Sequence, residues 1–347
     1  MAQEAGPKSP HVPVREAWLA QHREPILEPS LPVIDPHHHL WDDHRGRYLA
    51  EELSADVGAG HNILATVFIE CRAMWRQTGP EALRPVGETE FVADIAARHQ
   101  GPTRLAAGIV AHAELRLGDA VAEVLEAHAA AAGGRLRGIR HISAHDADPA
   151  VQSTSVPPPA GLLGDAAFRR GFAQLARHGL SFDAWLYHTQ LHELLDLARA
   201  FPETTIVLDH VGGPIGVARY ATMRAEVAAH WRAGITALAA CPNVVVKLGG
   251  LGMRVGGFNL HEPALPPTSE QLASLFRPWI EPCIQAFGPA RCMFESNFPV
   301  DKGCCDYAVL WNAFKRMSTG FNPAERAALF AGTAARIYRL NMEETPR

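Results

Sequence analysis

The 347-residue sequence predicts a (β/α)8 barrel, and three observations indicate this fold class. Short runs rich in β-branched residues occur eight times, and Ala/Leu/Arg/Glu-rich stretches with helical periodicity separate them. Eight strands that alternate with helices favour a parallel sheet, and eight is the number that closes into a barrel. The main alternative is a doubly wound open sheet. The lack of a glycine-rich nucleotide-binding loop after any strand argues against it.

The predicted elements follow one another in a regular order. Strands are expected at 31–39, 63–70, 104–112, 136–142, 180–187, 205–210, 243–248 and 291–297. Helices are expected at 90–99, 119–132, 165–178, 191–200, 220–240, 269–287 and 323–338. Residues 1–32 form a proline-rich N-terminal arm, and residues 33–340 form a single barrel domain. The arm is expected to pack on its own barrel or on that of a second copy, which would make a homodimer.

Composition and charge exclude several classes of function. The chain has 32 basic and 37 acidic residues, a net charge of -5 and no long basic block, so nucleic acid is not an expected partner. The N-terminus has no apolar signal segment, and no apolar run is long enough to span a membrane. We therefore expect a cytoplasmic protein with reduced cysteines that acts on a small molecule. The 18 histidines favour metal binding or proton transfer.

Histidines are concentrated where predicted strands end. Seven of the 18 lie there: His37, His38, His39, His112, His141, His188 and His210. Strand alternation places Asp35, His37 and His39 on one face and His38 on the other. Two imidazoles that point into the same space one layer apart can chelate Zn²⁺ or a similar ion. Long connections at 71–87, 143–164 and 249–268 follow strands, so substrate contacts are expected at the same end of the barrel.

Three motifs resemble those of the amidohydrolase superfamily. The first strand carries D-P-H-H-H at 35–39, a later strand carries VLDHVGGP at 207–214, and the last carries ESNFP at 295–299. The likeness covers residues 31–339 and is greatest to the lactonase branch, which includes 2-pyrone-4,6-dicarboxylate lactonase, L-fuconolactonase and 4-sulfomuconolactone hydrolase. The resemblance implies that His37 and His39 form the first-strand pair and that His210 lies near the substrate carbonyl. Asn297 stands where the family has a water-activating Asp. An amide cannot act as a general base, so the family mechanism does not transfer unchanged.

A replacement carboxylate is expected nearby. Alternation on the last strand points Glu295 inward beside His37, since the eighth strand neighbours the first in a closed barrel. Glu70 and Asp301 are further candidates. The predicted site holds one divalent ion, with zinc the first choice, on His37, His39 and Glu295, or it holds none. No lysine lies between Lys8 and Lys247, which excludes the family's lysine-bridged two-metal centre.

The expected activity is hydrolysis of a lactone or related cyclic ester that bears a carboxylate. Water would be activated by His210, His188 or an acidic residue in place of the missing Asp, and the carbonyl polarised by the metal or by Arg and His donors. One alternative is a metal-dependent non-oxidative decarboxylase of the same superfamily, and another is a barrel that binds a ligand without catalysis. The expected catalytic residues are His37, His39, His188, His210, Glu295 and Asn297. The expected substrate-binding residues are Glu70, Arg72, Arg140, His141, Arg254 and Asp301.

Overall fold

A computed structural model describes residues 11–341 and shows an eight-stranded parallel barrel. The strands pair in chain order, interrupted only by the small antiparallel hairpin of β2 (Trp41–Asp43) and β3 (Gly46–Tyr48). The barrel strands are β1 (Pro32–His38), β4 (Asn62–Ile69), β5 (Arg104–His112), β6 (Leu136–Arg140), β7 (Ser181–Ala184), β8 (Ile206–Leu208), β9 (Val244–Leu248) and β10 (Cys292–Phe294). The ends of β10 and β1 meet through two backbone hydrogen bonds, from His39 N–H to Phe298 O (2.8 Å) and from Asn297 N–H to His37 O (2.9 Å). The (β/α)8 prediction is confirmed.

Helices surround the barrel. They are α1 (Glu16–Leu19), α2 (Ala50–Val57), α3 (Val86–Arg98), α4 (Val121–Ala131), α5 (Ala166–Arg177), α6 (Leu191–Ala200), α7 (Arg224–Ala239), α8 (Ser269–Phe287), α9 (Tyr307–Met317), α10 (Pro323–Ala327) and α11 (Thr333–Ile337). The predicted final helix at 323–338 is divided by a π-helical turn at Ala328–Gly332. The sequence analysis missed α2, α9 and the β2–β3 hairpin. Within residues 11–341, no helix has both the length and the apolar character that crossing a bilayer requires.

The barrel interior is filled by aliphatic side chains and closed at its lower end by the C-terminal segment. Ile34, Val67, Val207, Val245 and Met293 belong to one buried cluster, which also includes Ile337, Tyr338 and Leu340. A second, larger cluster fills the space between the strands and the helices. The core therefore occupies the lower part of the barrel, and polar side chains occupy its upper, C-terminal end.

The first strand departs from the predicted alternation at Asp35. Its pairing with β4 shifts register between Asp35 and His38, so the regular inward and outward pattern is interrupted there. Asp35 accepts hydrogen bonds from the Ser296 backbone N–H (3.0 Å) and from the Tyr307 hydroxyl (2.9 Å). It therefore anchors α9 and the end of β10. The expectation that Asp35 shares a face with His37 and His39 was wrong.

The described part of the N-terminal arm packs on its own barrel. Trp18 Nε1 donates to the carbonyls of Pro263 (3.2 Å) and Ala264 (3.1 Å). Glu24 accepts the backbone N–H of Ser269 (2.7 Å), and the Lys315 ammonium donates to the carbonyls of residues 27 and 28 (2.7 and 2.8 Å). The arm consequently reaches the upper end of the barrel, where its residue 11 lines a cavity.

Candidate active site

A small cavity opens at the upper end of the barrel. Its volume is about 70 Å³, and it is called the inner cavity below. Its wall includes His39 after β1, Glu70 after β4, Arg140 at the end of β6, His210 after β8 and Asn297 after β10. Because the carboxyl ends of parallel strands meet at one end of a barrel, residues far apart in sequence converge there.

One carboxylate links two histidines beside this cavity. Glu295 Oε1 accepts hydrogen bonds from His210 Nδ1 (2.7 Å) and from the His210 backbone N–H (3.1 Å). Its other oxygen, Oε2, lies 2.7 Å from His37 Nδ1. A ring nitrogen that donates to a carboxylate must carry the proton, so Nε2 of His210 is the ring atom left to accept one. The inward direction predicted for Glu295 and its proximity to His37 are both observed.

Two glycines make this contact possible. A Cβ on Gly249 would overlap Glu295, and a Cβ on Gly250 would overlap the ring of His210. Gly250 also has φ +65°, a conformation that L side chains rarely adopt. His210 itself has φ +54°, so the histidine is held in an unusual backbone conformation. The Gly-Gly pair after β9 is therefore a requirement of the His210–Glu295 pair.

A buried cation lies below the histidines. Lys247 Nζ lies 2.8 Å from Asp183 Oδ2, 3.1 Å from Asp209 Oδ1 and 3.2 Å from His37 Nδ1. Burial lowers the pKa of Lys247, but Asp183, Asp209 and Glu295 outweigh it, and the net pKa is raised. Lys247 is therefore charged.

Arg140 is a second buried cation at the cavity. Its Nε donates to Glu70 Oε1 (2.9 Å), another nitrogen donates to the Glu70 carbonyl, and Nη1 lies 3.4 Å from His37 Nε2. Burial and the cations Lys247 and Arg140 hold the pKa of His37 well below its usual range; burial and Arg140 do the same for His39. Both imidazoles are therefore neutral, the state in which a histidine can bind a metal.

Three buried donors lie close enough to share one metal ion. Ligand atoms of His37, Asp209 and His210 all lie within 4.8 Å of one another. The carboxylate oxygens of Asp209 already face two buried cations, with Oδ1 3.1 Å from Lys247 Nζ and Oδ2 3.6 Å from Arg140 Nη1. Two imidazoles and a carboxylate suit zinc, so the residues present fit a single divalent ion. This group shares His37 with the predicted ligands and adds Asp209 and His210. His39 donates Nδ1–H to the Ile69 carbonyl (2.8 Å), which leaves its Nε2 as the nitrogen that could bind an ion.

Asn297 is tied to a neighbouring acid. Its Nδ2 donates to Asp301 Oδ1 (2.8 Å), and the other oxygen of Asp301 accepts the Gly252 backbone N–H (2.8 Å). Burial raises the pKa of Asp301 to about 7. Asp301 thus supports Asn297 and does not line the inner cavity. Asn297 has φ +57°, a conformation that asparagine tolerates better than most residues.

A buried glutamate holds the loop after β4. Glu88, in the first turn of α3, accepts the backbone N–H groups of Cys71 and Ala73 (both 2.9 Å) and lies 3.4 Å from Trp75 Nε1. Arg72, between these contacts, has φ +59° and stacks its guanidinium 5.6 Å from the Trp75 ring. Its Nε is buried without a hydrogen-bond partner, and it lines the inner cavity. Glu88 therefore fixes the segment that presents Arg72.

Three further predicted site residues, besides Asp301, lie outside the inner cavity. His141 does not line the inner cavity and packs against His112 and Phe168, whereas Arg140, the preceding residue, lines the cavity. His188 begins a 3-10 turn before α6 and packs against Tyr220 and His230. Arg254 does not line the inner cavity. Its side chain lies close to the backbone of the N-terminal arm, with Nε 3.5 Å from the carbonyl of residue 11.

Residues that the sequence analysis missed contribute to the same site. They are Asp209, Asp183, Glu88, Trp41 and Arg45. Asp209 directly precedes His210 in the VLDHVGGP motif, so its position was a usable signal. No sequence signal marked Glu88, Trp41 or Arg45, because each acts through a contact that only the fold creates.

Comparisons with known proteins show the family to which the chain belongs. The sequence profile of the family described as amidohydrolase matches residues 34–340. A protein of Sinorhizobium fredii (strain NBRC 101917 / NGR234) named y4mH is 35% identical over 336 residues, which cover 90% of this chain and 99% of that protein. An L-fucono-1,5-lactonase of Burkholderia multivorans is 30% identical over 325 residues, which cover 88% of this chain and 96% of that enzyme.

A solved structure extends the likeness to three dimensions. A zinc-bound amidohydrolase from Burkholderia multivorans superposes with a TM-score of 0.69 at 27% identity, and the match covers 89% of this chain and 99% of that one. The profile match and the lengths over which these relatives align show that the chain is a hydrolase and belongs to the amidohydrolase family.

Proposed function

We propose that this protein hydrolyses a lactone that bears a carboxylate group. The observation that carries the proposal is the His210–Glu295 pair at a cavity whose wall also holds Arg72 and Arg140. A histidine oriented by a carboxylate is an established arrangement for taking a proton from water. A guanidinium with an unused N–H matches a carboxylate well, and Arg72 has such a group.

The residues support the following steps. A water oxygen attacks the lactone carbonyl carbon while its proton passes to Nε2 of His210, and Glu295 stabilises the imidazolium that forms. The buried guanidinium of Arg140 stabilises the charge that develops on the carbonyl oxygen. The carbon–oxygen bond of the ring then breaks, and the leaving oxygen takes the proton from His210. The product is an open hydroxy acid.

A divalent ion fits the same centre. His37, Asp209 and His210 are the residues that would hold it, and a bound ion would supply Lewis acidity toward the carbonyl. His210 can serve as a ligand or as the base, so these are alternative routes. Elemental analysis of the purified protein together with activity before and after chelation separates them.

A lactone panel tests the proposal. Matched lactones with and without a carboxylate are supplied to the protein, and the released acid is followed with a pH indicator. We expect faster turnover of the carboxylate-bearing members, with the preference reduced about 10- to 100-fold in Arg72→Met. Release of CO₂ from an aromatic acid, without lactone hydrolysis, would favour the decarboxylase alternative and overturn the proposal.

A further inference from the structure

A second, larger cavity lies next to the inner one. It is called the outer chamber here and has a volume of about 390 Å³. The N-terminal arm at residues 11–16 and the β2–β3 hairpin form most of its wall. The two cavities have His11, Trp41 and Arg45 in common, so they share one wall. None of the candidate site residues from the sequence analysis lines the outer chamber.

The two cavities differ in size, so they can hold different parts of a substrate. The inner cavity has room for the reacting ester group and the carboxylate that Arg72 binds and little more, since a single water needs roughly 10–15 Å³. The outer chamber falls in the range of about 300–1,000 Å³ that is usual for small-molecule sites. A substrate whose ester reaches His210 must therefore place its remaining atoms in the outer chamber or in solvent.

The wall between the cavities is built from stacked groups. The Trp41 ring lies nearly parallel to the rings of His39 and His11, with both centroid distances 5.9 Å. The Arg45 guanidinium lies 4.3 Å from the Trp41 ring, is paired with Asp43 (2.6 Å), and donates to the Cys71 carbonyl (3.0 Å). Arg45 therefore ties the hairpin to the loop that carries Arg72.

The charges of the outer chamber are paired within the protein. Arg47 binds Glu52 (2.9 Å), and Glu16 contacts Lys302 (3.1 Å). Burial and Arg45 lower the pKa of His11 to about 4, so that imidazole is neutral at pH 7. Within residues 11–341, the wall thus offers hydrogen-bond donors and acceptors, and its Arg and Glu side chains are paired. Such a surface suits hydroxyl groups, which donate and accept at once, better than it suits an ionised group.

We propose that the outer chamber binds a neutral, polyhydroxylated part of the substrate, such as a sugar unit, while the ester occupies the inner cavity. This assignment rests on the proposed function and adds a specificity site formed by the N-terminal arm and the β2–β3 hairpin. The carboxylate that Arg72 binds and the neutral, polyhydroxylated part lie at different positions on one substrate.

Filling the chamber tests the assignment. Val14 lines it and is 40% exposed, so Val14→Trp adds bulk there without disturbing the core. Met223 is 41% exposed and lines none of the cavities described, so Met223→Trp is the matched control. Binding of a methyl disaccharide and of its sulfated form is measured by saturation-transfer NMR, and each compound is tried as an inhibitor of lactone hydrolysis.

We expect the neutral disaccharide to bind the wild type, to inhibit competitively, and to lose at least 10-fold in affinity in Val14→Trp but less than 2-fold in Met223→Trp. Equal binding by the two variants, no binding by the wild type, or a preference for the sulfated form would overturn the assignment. A wild type that binds the disaccharide but hydrolyses no lactone would overturn the proposed function and leave the binding site standing.

Discussion

Glu295 and His210 lie 85 residues apart in sequence and form a hydrogen bond of 2.7 Å beside the inner cavity. Glu295 comes from the end of β10 and His210 from the end of β8, so the contact passes across the end of β9. Glu295 is fully buried, and its second oxygen contacts His37. A buried carboxylate is tolerated when it binds positive or hydrogen-bonding partners, and here the two histidines and Lys247 supply them.

Replacing Glu295 by Gln tests the role of this carboxylate. The amide keeps the shape but cannot stabilise an imidazolium, so we expect kcat to fall roughly 10³- to 10⁴-fold, with KM changed much less. Steady-state kinetics with the best lactone from the panel measures both. Glu203→Gln, on the exposed surface, is the control. Activity retained within 10-fold in Glu295→Gln would show that another group assists the base.

Replacing Gly250 by Ala should displace His210. The new Cβ would overlap the imidazole, and the residue would also be strained at φ +65°. We expect loss of more than 99% of activity and a loss of stability of about 1–3 kcal/mol. Gly134→Ala is the matched control, because Gly134 has φ +78° and nothing within 4 Å of its Cβ position. Equal activity losses in the two variants would argue against a specific role of Gly250.

Glu88 should act on substrate binding through the loop it holds. Glu88→Ala removes the acceptor for two backbone N–H groups, so we expect Arg72 to lose its position and KM for a carboxylate-bearing lactone to rise at least 10-fold. The rate of a lactone without a carboxylate should change by less than 3-fold. Glu88→Gln keeps one acceptor oxygen and should restore most of the affinity. A uniform loss toward both lactones would mean that the loop is only structural.

Asp301 should make stability depend on pH. Its folded pKa of about 7 is above the ordinary value of 3.8, so the folded state binds the proton more tightly than the unfolded state. This contribution to stability is complete below about pH 3.8 and is lost as the pH rises toward 7. In Asp301→Asn that loss is absent, so the stability of the wild type relative to the variant should fall between pH 4 and 7. Denaturant unfolding at several pH values measures the difference, and a pH-independent difference would contradict the assignment.

The pattern of the sequence determined the barrel fold and showed that the site lies at the carboxyl ends of the strands. Eight β-branched runs separated by helical stretches specify a parallel barrel, because each strand must be buried on both faces and each crossover must return the chain to the same edge. The carboxyl ends of such strands converge, so the strand-end histidines that point inward, His37, His39 and His210, lie close together. The inward direction of Glu295 followed from alternation, since Met293, two residues before it, faces the barrel interior.

Only the tertiary structure decided how the site is completed. The register shift at Asp35 turned that side chain outward, and no local pattern in the sequence marks such a shift. The partners of Lys247 and Glu88, and the outer chamber formed by the arm and the hairpin, depend on which distant segments meet. His188 was placed away from the cavity because its strand ends earlier than predicted, at Ala184. Periodicity fixes the face on which a residue lies, whereas its neighbours on that face are set by packing between segments far apart in the chain.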